Sequence, residues 1–192
     1  MSTELKVIGI TGRKFNGKDT VGEYLVKEHG YMRLAFADPL KEASRCIFNF
    51  NNEQLYGSLK ETTDDFWKTS PRIVLQYLGT ELFRDQLAPI MPHVGKNIWV
   101  EVTRRKMLDI WKENPDQKFV ITDVRFQNEL DFIKEYGGTT AKVLRSCVNK
   151  LNDSHASECE LDKLTVDHCI SNDGTLDDLY NNVNELIYKL TN

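Results

Sequence analysis

Gly12-Arg13-Lys14-Phe15-Asn16-Gly17-Lys18 follows an apolar run at residues 5–11 and precedes a segment that places Val21, Leu25 and Val26 on one helical face. The spacing is G-x-x-x-x-G-K, and its chemistry requires this position between a predicted strand and a predicted helix. Glycines let the backbone turn tightly and aim successive N–H groups inward, and the N-terminus of the helix that starts at Lys18 adds partial positive charge. Such a loop holds phosphate oxygens. Lys18 would reach the outer phosphates of a nucleotide, and the candidate nucleotide-binding residues are Gly12, Lys14, Asn16, Gly17, Lys18, Asp19 and Thr20. Asp19 stands where the general pattern has Ser or Thr, with the hydroxyl one place later at Thr20. A carboxylate there can still hold magnesium, directly or through water. The plainer alternative is a glycine turn that caps a helix beside a solvated lysine.

Outward from the loop, apolar runs alternate with helical patterns, which indicates an α/β fold. A second strand is expected at residues 31–36. Asp38-Pro39 then supplies an N-cap and a first-turn proline for a helix. The pattern stays helical to about Trp111, with a second start signal at Ser70-Pro71 and a wide apolar face of Ile73, Val74, Leu75, Leu78, Leu82 and Phe83. Pro89 and Pro92 interrupt it before a helix at residues 98–111. Further strands are expected at residues 119–122, 140–144 and 166–170, with a helix at 127–136 that Gly137-Gly138 ends. Leu176, Leu179, Val183, Leu186, Ile187 and Leu190 mark a C-terminal amphipathic helix. The expected architecture is one domain of about five parallel strands with helices on both faces. Its core would be residues 5–37, 117–145 and 164–192, with a helical insertion at 38–116 and a polar segment at 146–163, both placed to enclose a substrate.

The bulk properties narrow the classes. A chain of 192 residues suits one ordinary domain. With 25 Lys+Arg against 29 Asp+Glu, no broad cationic field exists for an extended nucleic acid, although a few local cations suffice for a small phosphorylated ligand. The apolar run begins too early for a signal peptide, and no stretch approaches the roughly 18–20 apolar residues that span a bilayer, so a soluble cytoplasmic protein without membrane contact is expected. Cys46, Cys147, Cys159 and Cys169 are too few and too irregular for a disulfide framework. Three of them lie near His155 and His168, but without the ligand spacing of a zinc site.

Asp123 and Arg125 fall just beyond the predicted strand at 119–122, where open α/β sheets bind ligands. The carboxylate suits the water shell of a metal and the guanidinium suits phosphate oxygens, while a surface ion pair with an N-cap is the plain alternative.

Gly17-Lys18-Asp19-Thr20, Phe36-Ala37-Asp38-Pro39-Leu40-Lys41, Leu78-Gly79-Thr80-Glu81 with Arg84, Trp99-Val100 and the segment from Asp123 to Glu129 occur in that order. Together they resemble the phage-type deoxynucleoside monophosphate kinases, over about residues 6–183. The resemblance implies a P-loop kinase fold and ATP- and magnesium-dependent phosphoryl transfer to a deoxynucleoside 5′-monophosphate, yielding the diphosphate for DNA precursor synthesis. It makes residues 38–116 an acceptor-binding insertion and 146–163 a lid, and it points to the host cytoplasm if the source is viral. Asp38, Lys41, Gln76, Arg84, Trp99, Arg104, Asp123, Arg125 and Glu158 would bind the acceptor. Lys18, Arg125 and Arg145 would act in catalysis, Asp19 and Asp123 at the metal, and Asn172 and Gly174 near the base of ATP. A helix cap at Asp38, core packing at Trp99 and a plain turn at 172–174 are the corresponding local readings. A homodimer stays open. So do a kinase for another phosphorylated small molecule, of the phosphomevalonate or dephospho-coenzyme A type, and a nucleotide-binding regulator without catalysis.

Overall fold

The computed structural model describes residues 6–146 and 163–191. The chain divides into two compact units, one formed by Met1–Ala35 with Lys106–Asn192 and the other by Phe36–Arg105.

In the first unit the strands β1 (Val7–Thr11), β2 (Tyr31–Leu34), β3 (Lys118–Ile121), β4 (Thr139–Leu144) and β5 (His168–Ser171) form one parallel sheet in the order β2-β3-β1-β4-β5. β1 lies in the middle and every one of its residues is buried, which is why it reads as an unbroken apolar run. Side chains alternate across it. Ile8 and Ile10 join Val120, Ala141, Val143 and Ile170 on one face, where Val21 and Leu25 of α1 (Lys18–His29) close the core. Leu179, Val183 and Leu186 of a C-terminal helix, Leu176–Thr191, pack into the same cluster. Gly9 points to the other face, where a side chain would collide with Ile133 of the helix Gln127–Glu135. Helices therefore cover both faces, giving the expected three layers.

Three local expectations shift, the first being that β2 ends at Leu34 and not at residue 36. The last strand is His168–Ser171 rather than 166–170, because pairing with β4 starts at Ala141 opposite His168 while Asp167 turns its carboxylate onto the Thr140 N–H (2.9 Å) and hydroxyl (2.8 Å). Leu176 is 53% exposed, so the buried stripe of the last helix begins at Leu179.

The second unit is helical. It contains α2 (Asp38–Phe48), α3 (Asn52–Leu55), a 3-10 turn at Ser58–Glu61, α4 (Pro71–Tyr77), a π-helix at Leu78–Gln86, a 3-10 turn at Gly95–Asn97 and α5 (Ile98–Glu113) as far as Arg105. We label the helices Gln127–Glu135 and Leu176–Thr191 α6 and α7. Ser70 caps α4 as expected, its hydroxyl accepting the Ile73 N–H at 3.4 Å. Asp38 does not cap α2. Ala37 holds the N-cap position, and Asp38 is the first helical residue, with a charge that suits the helix dipole. The wide apolar face is only partly covered, with Val74, Leu78, Leu82 and Phe83 half-buried. After Tyr77 the chain passes into i→i+5 pairing, seen in the bond from Leu87 N–H to the Leu82 carbonyl (3.0 Å). Leu75 is buried, whereas Ile73 is 59% exposed. No helix among the described residues is long and apolar enough to cross a membrane.

Candidate active site

β1 stops at Thr11, opposite Lys142, while β4 continues. The side chain of Asn16, 1% exposed, takes up the place beyond the end of β1 and donates Nδ2–H to the Val143 carbonyl at 2.8 Å. Gly12, with φ 143°, lies against the same carbonyl, whose oxygen would be 2.6 Å from an added Cβ. The loop then folds onto itself. The Arg13 carbonyl accepts the Asn16 N–H (3.2 Å) and the Lys18 ammonium (2.8 Å). Phe15 has φ 66°, a left-handed conformation that disfavours an L side chain by about 1–2 kcal/mol, so the surroundings impose the shape of the loop. Its exposed ring lies under the Lys14 ammonium, 4.9 Å from the centroid.

Gly17 is the N-cap of α1, with φ 96° and no side-chain hydrogen bond to the cap. The first N–H groups of a helix have no intrahelical acceptor, so this terminus is open to an anion. A helix start of this kind suits the phosphates of a nucleotide. Asp19 is exposed in the first turn of α1 and Thr20 follows it, half-buried. No group of three or more His, Cys, Asp or Glu among the described residues is placed to hold a metal. Magnesium on a nucleotide needs no such cage, because phosphates and water supply most of its ligands.

Asp123 and Arg125 lie where the sequence puts them, half-buried just past the C-terminal end of β3. Main-chain bonds hold this turn beside β1, with Val124 N–H donating to the Ile10 carbonyl (3.2 Å) and the buried Thr11 hydroxyl donating to the Val124 carbonyl (2.7 Å). Glu129 completes it. Its carboxylate, on a residue only 2% exposed, accepts the main-chain N–H groups of Arg125 (2.8 Å) and Phe126 (3.2 Å). Sequence pattern assigned Glu129 no role of its own, although a Glu at the third position of a helix is a recognised start signal.

Arg145 is exposed directly after β4. The next residue is tied down, because the Asp173 carboxylate accepts the Ser146 N–H (2.6 Å) and hydroxyl (2.9 Å). These hydrogen bonds, the main-chain one first, hold the Asp173 carboxyl below its ordinary pKa. Asn172 donates Nδ2–H to the Asn16 carbonyl at 2.9 Å, and Gly174 sits where a Cβ would crowd the Asp178 carboxylate that caps α7 through the Thr175 N–H (2.8 Å). Glu158 and His155, with residues 147–162 generally, lie outside the described residues.

In the second unit Lys41 places its ammonium 4.0 Å from the Tyr56 ring centroid and Arg104 pairs with Glu101 at 3.1 Å. Gln76 is half-buried on α4, and Arg84 half-buried in the π-helix. Trp99 is an interior residue, 8% exposed, with its indole N–H donated to the Gly79 carbonyl (2.9 Å) and its ring edge-on to Phe83. That geometry matches the packing alternative for Trp99.

Lys18, Asn16, Gly12, Gly17 and Asn172 thus form one cluster, and Asp123 and Arg125 follow the neighbouring strand. A parallel β2-β3-β1-β4-β5 sheet, helices on both faces and a glycine loop leading from β1 into α1 define a P-loop kinase fold. Among solved structures, TT1252 from Thermus thermophilus has the same overall fold, with a TM-score of 0.51 at 18% identity, covering 99% of this chain and 100% of that one. The sequence model for deoxynucleotide monophosphate kinase matches residues 45–183. A relative from Acanthamoeba polyphaga mimivirus, provisionally named a deoxynucleotide monophosphate kinase, is 42% identical over 181 residues, 92% of this chain and 93% of that one. The deoxynucleotide monophosphate kinase of Enterobacteria phage T4 is 28% identical over 184 residues, and the matched part is 94% of this chain but 66% of the phage protein. The chain belongs to the deoxynucleotide monophosphate kinase family, a family of phosphotransferases.

Proposed function

We propose that the chain uses ATP with Mg²⁺ to phosphorylate a deoxynucleoside 5′-monophosphate, releasing ADP and the deoxynucleoside diphosphate. The observation that carries this reading is the uncapped, glycine-lined start of α1 with Lys18 folded into its loop. In it the β- and γ-phosphates lie against the loop amides and the Lys18 ammonium leaves the Arg13 carbonyl for phosphate oxygens. Arg125 and Arg145 offset charge on the transferring group. Asp19 and Asp123 would hold the magnesium ion or its water shell, and that ion would neutralise charge across the phosphates. The acceptor is already an anionic phosphate, so no side chain has to remove a proton, and positioning with electrostatics supplies the acceleration.

Asp38, Lys41, Gln76, Arg84 and Arg104 are our candidates for holding the acceptor, which makes residues 38–116 the acceptor-binding insertion. Residues 146–163, with Glu158, are the candidate lid, and the main chain of the turn at 172–174, with Gly174, the candidate base end of the nucleotide. The viral relatives support action in the cytoplasm of an infected cell.

The test is ADP release coupled to each deoxynucleoside and ribonucleoside monophosphate in turn. Lys18→Ala should lower kcat by about 10²–10³-fold with an unchanged urea midpoint. Normal turnover in that variant would sink the assignment.

A further inference from the structure

We propose that Asn172 is a positioning residue for the phosphate loop, acting through Asn16, and that its side chain is not a contact to the nucleotide base. The proposal rests on the phosphate-loop reading and concerns what sets the loop's shape before a ligand arrives.

The loop is tied to the sheet at two points. Asn16 reaches inward to the Val143 carbonyl, and its own carbonyl accepts the Asn172 amide. Asn172 is a firm anchor, because its main-chain N–H is bonded to the Leu144 carbonyl at 2.8 Å, which extends the alignment of β4 with β5. Gly17 fits the same arrangement. A Cβ there would come within 2.5 Å of Asn172 Nδ2, so the glycine that starts α1 and the amide that braces the loop share one space. With Phe15 left-handed and Gly12 and Gly17 both at positive φ, the relaxed chain would not hold this path unaided. Two asparagines, 156 positions apart, tie it to the ends of β4 and β5. Donors fixed before binding lose little order when the phosphates arrive, and this is how the pair strengthens binding.

The two roles for Asn172 differ in which part of the nucleotide they serve. A base contact serves adenine alone, whereas a loop brace serves the phosphates whatever is attached. Calorimetric titration of the full chain with ATP and with inorganic tripolyphosphate, both with Mg²⁺, separates them. Asn172→Ala, and Asn172→Leu as a second variant of similar length without donors, should weaken both ligands by the same factor, about tenfold. Asn16→Ala should do likewise, and the Asn16→Ala/Asn172→Ala pair should bind no worse than the weaker single variant, because both act on one segment. Loss of ATP affinity with tripolyphosphate unchanged would overturn the proposal in favour of a base contact. So would unchanged affinities for both ligands, or single effects that multiply in the pair. If the unaltered protein binds neither ligand, the phosphate-loop reading itself falls, and the proposal with it.

Discussion

Glu129 accepts the main-chain N–H of Arg125 at 2.8 Å from a site that is 2% exposed. The turn that carries Asp123 and Arg125 is therefore set from inside the protein, by a carboxylate four residues further along the chain. Glu129→Ala would leave two main-chain donors without this acceptor and should lower stability by about 2–4 kcal/mol in urea denaturation. Glu129→Gln keeps one oxygen acceptor and should lose about half as much. Equal losses in the two variants would mean that the cap does not act through these bonds.

Gly12 and Gly30 both have positive φ, 143° and 70°, but differ in their surroundings. A Cβ at Gly30 meets nothing within 4 Å, whereas one at Gly12 meets the Val143 carbonyl oxygen at 2.6 Å. Gly30→Ala should cost about 1–2 kcal/mol of stability and leave turnover unchanged. Gly12→Ala should cost more and also raise KM for ATP, since the loop itself must shift. Parallel urea curves and initial rates would check both.

Asp167 gives a pH dependence with a definite sign. Burial pushes its carboxyl up, but hydrogen bonds from the Thr140 hydroxyl and N–H, with the Lys134 charge, outweigh burial and leave it below its ordinary value. A carboxyl lowered in the folded state stabilises fully above the unfolded value of about 3.9, and the contribution fades as pH falls through the folded value. The gap in urea midpoint between the wild type and Asp167→Asn should thus narrow as the pH is taken below about 4. A gap independent of pH would show that the charge contributes nothing.

Trp99 separates packing from recognition. Trp99→Phe keeps an aromatic ring but removes the donor to the Gly79 carbonyl, and should cost about 1–2 kcal/mol, against about 3–5 for Trp99→Ala. KM for the acceptor should not change in the phenylalanine variant if the indole only packs. A several-fold rise would restore Trp99 to the acceptor site.

Much of the first unit was readable from local pattern. The loop spacing, the buried run of β1 and the start of α1 at Lys18 all depend on residues close in sequence, and they match the structure. What was not readable depends on distance or on small offsets. No local signal links Asn16 to Asn172, because the contact exists only once β4 and β5 lie side by side. Asp38-Pro39 announced a helix start correctly but not which residue fills the cap, a difference of one position. The strand β5 slid because Asp167 satisfies Thr140 with its side chain, a choice that apolar periodicity does not encode. Passage into i→i+5 pairing after Tyr77 has no residue signature either, and nothing in the apolar pattern marked Ile73 as the exposed member of its face.

The π-helix at Leu78–Gln86 also sets the direction of the side chains that it carries. A helix that closes its rings over five residues absorbs an insertion without breaking, and each added residue rotates the rest of the helix by about 100° on an α-helical count. Arg84, inside the segment, therefore leaves the helix in a direction that an α-helical count from Tyr77 does not give.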